Sequence, residues 1–232
     1  MSTRFTLDSP FMPVIERRFG DKDFAARFRA RREDYYEGRV WWTLCRMNLL
    51  DDEILTLLKR FGRHQTTIDV SIALKFYIIS WCTLSDVTAN LISAVFDLGT
   101  ADQDVTFAAV MRNAHVQTSP VPAILRKHKA RVRHDEFRKK RNEIVHRISW
   151  ADGELGKLEW ELMEAVALGF EDRAKSRAAL EAVYVSVDAY RLTKQAELQV
   201  HYQDTMVMTG ELMQALAVVF ERKALGADPR QG

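Results

Sequence analysis

Helix breakers in this chain are few and stand where they interrupt little. Its five prolines fall at Pro10, Pro13, Pro120, Pro122 and Pro229. Proline lacks a backbone donor and clashes with the preceding helical turn, so residues 14–119 and 123–228 are free to run as long helices. Only 10 glycines add further breaks among 232 residues. With 47% hydrophobic and 28% charged residues, the chain has an ordinary globular composition and enough apolar side chains for a substantial core. An all-α fold is the expectation.

Capping residues and apolar spacing place the elements. Asp21 or Asp23 can start a helix carrying Phe24, Phe28, Tyr35, Trp42 and Leu49, with Gly38 as a point of interruption. Asp51 and Asp52 then read as the start of a short helix ending at Gly62. Thr66 or Asp69 opens an apolar helix through Trp81, and Ser85 caps another, Val87 to Leu98, stopped by Gly99. A short helix follows from about Asp104 to Asn113. Ser119 before Pro120 is a start signal, and the helical pattern continues to about Ile148 with a joint near Arg133, His134 and Asp135. Leu155 to Leu168 make a helix closed by Gly169, and Ser176 can cap a long final helix to about Leu225. These elements read as an N-terminal extension over 1–20, a single helical domain over 21–226 and a disordered tail over 227–232.

Cys45 and Cys82 are isolated thiols on helical patterns, which points away from a disulfide framework or zinc knuckle and toward a reducing, cytoplasmic compartment. Phe11 to Ile15 is too short for a signal-peptide core, and Ile72 to Cys82, broken by Lys75, is too short to span a bilayer. No membrane segment is expected. The sequence has no glycine-rich phosphate loop, HExxH or GxSxG elbow, so other enzyme classes gain no support.

Charge is concentrated in one place. The whole chain has a formal net charge of +2, yet Arg126 to Arg147 hold ten Lys or Arg residues against three acids. Inside this run lies Arg141-Asn142-Glu143-Ile144-Val145-His146, a phosphate binder and a proton-transfer group close together. A similar string, Arg112-Asn113-Ala114-His115, has a shorter gap. On a helical wheel Arg141 falls in the apolar stripe of Phe137, Ile144 and Val145, where a guanidinium needs a partner. His146 lies about 140° away from it on a straight helix, so the two do not meet as neighbours.

Arg141, Asn142 and His146, in this basic helical setting, resemble the signature of the HEPN superfamily: Arg, a polar residue, a few more residues, then His. The resemblance implies an antiparallel helical bundle of HEPN type with additional N-terminal helices. It also implies a metal-independent endoribonuclease without a cofactor, often a toxin or defence protein, with a possible antitoxin protein as partner. Such proteins commonly form a homodimer in which both motifs line one cleft. His146 would then exchange a proton with the ribose 2′-OH or the leaving oxygen, Arg141 would stabilise charge at phosphorus, and Asn142 would orient the His or the ribose. Arg126, Lys127, Lys129, Arg131, Arg133, Arg138, Lys139, Lys140 and Arg147 would hold the RNA backbone through its phosphates.

Plainer readings compete with this one. Arg141 also reads as one half of a structural ion pair, and the basic run as a solvated helix face. A non-catalytic module that binds RNA, a nucleotide or a protein through the same face is the main alternative. Tyr35, Tyr36, Trp41 and Trp42 read as core or dimer packing before base stacking, and Met206, Met208 and Met213 as core filler.

Overall fold

The computed structural model describes residues 2–30, 35–63, 66–99, 105–146 and 152–226. Among them every regular element is helical: α1 (Met12–Phe19), α2 (Lys22–Ala30), α3 (Tyr36–Phe61), α4 (Thr67–Phe96), α5 (Phe107–Val110) and α6 (Ala114–Gln117), then α7 (Val121–Val132), α8 (His134–His146), α9 (Gly153–Ala167), a 3-10 turn (Leu168–Phe170) and α10 (Arg173–Gly226). The fold is all-α. Arg147 and the tail 227–232 lie outside the described residues.

Helices start and stop partly where local chemistry dictates. Thr66 and Asp69 cap α4 reciprocally: Asp69 Oδ2 accepts from the Thr66 hydroxyl at 2.8 Å, and Thr66 Oγ1 accepts the Asp69 N–H at 3.2 Å. Ser119 Oγ accepts the Val121 N–H at 3.3 Å as α7 begins. The expected joint after α7 falls at Arg133, which takes a left-handed φ of 49°.

Three expected boundaries are corrected. Asp51 and Asp52 lie inside α3, where they accept from the Ser2 hydroxyl and the Ser2 N–H, each at 2.7 Å. Ser85 lies within the 30-residue α4 and starts no helix. Ser176 lies inside α10 and donates to the Ala165 carbonyl at 2.7 Å, while Asp172 accepts the Ala174 N–H at 3.0 Å and caps the helix. At 30 residues α4 is long and apolar enough to cross a membrane, beyond the expected length, but most of its most apolar window is buried, as in a core helix.

The chain divides into two compact units. The first comprises Met1–Glu53, Thr83–Arg133 and Asp204–Gly232. In its core Phe220 meets Phe11 and Tyr36 at ring-centroid distances of 5.3 and 5.5 Å. Burial raises the Tyr36 phenol far above its usual range, and that hydroxyl donates to the Val95 carbonyl at 2.7 Å. The early residues belong to this packing: Phe5, Phe11, Val14 and Ile15 are buried, and Asn48 accepts the Phe5 N–H at 2.8 Å.

The second unit comprises Ile54–Cys82 and His134–Gln203. Its core is an aromatic cluster of Tyr77 and Trp81 from α4, Phe137 from α8 and His201 from α10. Phe137 and His201 stack with centroids 4.0 Å apart and planes 2° from parallel, and Trp81 lies 4.9 Å from the His201 ring. Tyr77 Oη sits 2.9 Å from His201 Nδ1 and 3.1 Å from the Leu198 carbonyl oxygen. If its one hydrogen goes to Leu198, then Nδ1 of His201 is the donor to Tyr77.

Candidate functional site

Helix α8 carries the Arg141–His146 motif and runs unbroken to His146. It starts with Asp135 and Glu136, favourable beside a helix N-terminus. Lys140 pairs with Glu136 one turn away at 2.9 Å, a support of the usual i,i+4 kind. Phe137 is its only fully buried side chain among the described residues; it packs among Tyr77, Trp81 and His201, and His134 meets the Trp81 ring at 5.9 Å.

That shallow anchoring changes the environment expected for Arg141. The apolar stripe is narrower than its sequence implies: Ile144 is half-buried and Val145 is exposed. Arg141 is half-buried and makes no side-chain hydrogen bond or ion pair with another described residue. A guanidinium that keeps water access needs no obligatory partner.

Asn142 and His146 are both exposed, one turn apart on the same face. Lys139 precedes them on that face and is also exposed, giving a polar row of Lys139, Asn142 and His146. None of the three makes a side-chain hydrogen bond or ion pair with another described residue. The helix therefore brings Asn142 to His146 and leaves Arg141 about 140° aside from the imidazole.

The basic run is divided by the joint at Arg133. Arg126, Lys127, Lys129, Arg131 and Arg133 belong to the first unit, and Arg138, Lys139, Lys140 and Arg141 to the second. Several are already engaged. Lys127 pairs with Glu211 at 2.7 Å and, as the leading cause, holds that carboxyl below its usual range. Arg126 Nε donates to the Pro122 carbonyl at 3.2 Å, and Lys129, Arg133 and Arg138 also have partners. His128, buried within the first unit, lies 3.1 Å from the other oxygen of Glu211.

The shorter motif imitation has a structural explanation. Asn113 Oδ1 accepts the His115 N–H at 2.9 Å and caps α6. Among the aromatic residues weighed for base stacking, Tyr36 is half-buried against Phe220 while Trp42 is 64% exposed. Met208 and Met213 are buried as expected of core filler. Sequence reading missed His201, which has no neighbouring signal and acquires its role through Phe137, Trp81 and Tyr77. Comparison with family models, curated proteins and solved structures finds no match to this chain.

Proposed function

We propose that the protein is a metal-independent endoribonuclease of HEPN type that acts as a cytoplasmic homodimer. The observation that carries the reading is the exposed pair Asn142 and His146, one turn apart on a basic helix and without a described side-chain partner. An imidazole open to solvent can take the proton of a ribose 2′-OH while that oxygen attacks the adjacent phosphorus. The bond to the 5′-oxygen then breaks and that oxygen takes a proton, leaving a 2′,3′-cyclic phosphate and a 5′-hydroxyl. DNA lacks the attacking group.

Arg141 would stabilise charge on the phosphoryl oxygens. Its displacement around α8 from His146 favours a composite site, in which the Arg141 of one copy serves the His146 of another. Exposed Lys139, on the same helix, would hold a phosphate without reading sequence. A toxin or defence role, with an antitoxin protein as silencing partner, accords with such an activity.

The test is RNA cleavage in EDTA at low salt by native protein, His146→Ala and Arg141→Ala, each shown to be folded by circular dichroism. Cleavage by the native protein alone is expected, with RNA affinity nearly unchanged in His146→Ala. Structured and unstructured RNAs left intact by the native protein would sink the catalytic reading. The same angular separation of Arg141 and His146 favours a second reading, a non-catalytic RNA-binding module. In that case charge reversal at Lys139 weakens binding and His146→Ala does almost nothing.

A further inference from the structure

Helix α9 has two apolar sides, and the protein covers only one. Leu155, Leu158 and Ala165 are buried, and the Ser176 hydroxyl ties the Ala165 carbonyl to α10. On the opposite side Trp160, Met163 and Ala167 recur at helical spacing and lead into Phe170. Trp160 is 68%, Met163 57% and Phe170 91% exposed, with Val166 beside them at 53%. Together these side chains present on the order of 500 Å² of apolar surface, within the range of the largest patch on a typical soluble monomer. The largest apolar patch on a monomer is often functional.

The rim here is acidic. Along α9 stand Glu154, Glu159, Glu161 and Glu164 against the single base Lys157; Glu171 and Asp172 follow, with Arg173, Lys175 and Arg177 at the start of α10, where Lys175 pairs with Asp172 at 3.4 Å. RNA phosphates would be repelled by it. A second copy laid antiparallel on the same face would bring Glu161 and Glu164 of one chain toward those of the other, a like-charge arrangement that costs affinity. The sign of the rim therefore selects among occupants.

We propose that this face docks a Lys- and Arg-rich amphipathic helix of another protein, whose apolar ridge covers Trp160, Met163 and Phe170 and whose cations meet Glu161 and Glu164. The 15 residues of α9 make a surface about 22 Å long, enough for roughly four turns of a partner helix. Aromatic anchors inside a charged edge are the pattern of interface hot spots. The surface is separate from the Arg141–His146 reading and stands without it.

The probe is a fluorescein-labelled 18-residue helical peptide of Leu and Lys, with a Leu/Glu peptide as its counterpart, followed by fluorescence anisotropy. Native protein should bind the Leu/Lys peptide about tenfold more tightly than the Leu/Glu peptide. The double variant Trp160→Ala/Phe170→Ala should lose about tenfold in affinity for it. Glu161→Lys/Glu164→Lys should reverse the preference and select the Leu/Glu peptide. No binding by the native protein, or equal binding by all three proteins, would overturn the assignment. So would a native dimer, measured by light scattering, that the Trp160→Ala/Phe170→Ala variant converts to monomer.

Discussion

The two units treat their large hydrophobic side chains differently. Among the described residues, eighteen such side chains are exposed, and thirteen of them belong to the second unit, although it is the smaller one. The first unit turns Phe11, Leu44, Met47 and Phe220 fully inward. The second buries Tyr77, Trp81 and Phe137 in one cluster and leaves Trp160, Phe170 and Val185 facing outward. The second unit therefore presents the larger share of apolar surface to solvent. Both candidate interaction features, the α8 row and the α9 face, lie in that unit.

A pair of phenylalanine substitutions tests this contrast most sharply. Phe220→Ala removes a fully buried ring from the first unit and should cost about 3–5 kcal/mol in urea unfolding. Phe170→Ser removes an exposed one from the second and should stay within about 0.5 kcal/mol of native. A large loss from Phe170→Ser would mean that the outward face is structural, and the contrast between units would fail.

Arg191→Met probes how the second unit holds itself together with so much apolar surface outside. Arg191 is buried, pairs with Asp188 at 3.2 Å and donates to the Phe61 carbonyl at the end of α3. Its loss should lower stability by about 2 kcal/mol, since hydrogen bonds from charged donors contribute more than neutral ones. An unchanged urea midpoint would show that packing alone fixes the end of α3 there.

The smallest expected effect is a pH dependence at the start of α10. The Asp172 carboxylate accepts from the Lys175 and Ala174 N–H groups, and these bonds, Lys175 first, lower its pKa below the usual 3.8. A pKa lower in the folded state adds stability above the unfolded value, and that share is lost as pH falls through the folded one. Native protein should therefore lose a little more melting temperature between about pH 5 and pH 3 than Asp172→Asn does. Parallel melting curves for the two proteins would remove Asp172 as a pH-sensitive cap.

Much of the helix pattern was legible because capping and breaking are local. Thr66 and Asp69, Arg133 as the joint, and Gly62 just after α3 depend on groups a few residues apart, whereas α4 ends at Phe96 with Asp97 at a left-handed φ of 53°, short of the expected stop at Gly99. The reading failed where a polar residue has a distant partner. Asp51 looks like a cap, but Ser2, 49 residues away, supplies its donor and lets α3 continue. Ser176 looks like a cap, but it satisfies the Ala165 carbonyl across a helical hairpin. The outward face of α9 was detectable in principle, since Trp160, Met163, Ala167 and Phe170 repeat at 3–4 residue spacing. An apolar row at that spacing is normally a core face, and sequence does not say which of two apolar sides will be covered.

By itself, the sequence determined the helical class, the concentration of positive charge over 126–147, and the angular offset of Arg141 from His146. Proline placement, charge count and helical geometry are local or additive quantities that survive without knowledge of packing. Tertiary structure alone decided that Phe137 anchors α8 on His201, that Arg141 keeps water access, and that Trp160 and Phe170 remain outside. Burial depends on which distant surface arrives to exclude water, and that information is carried by the assembled helices and by no single stretch of chain.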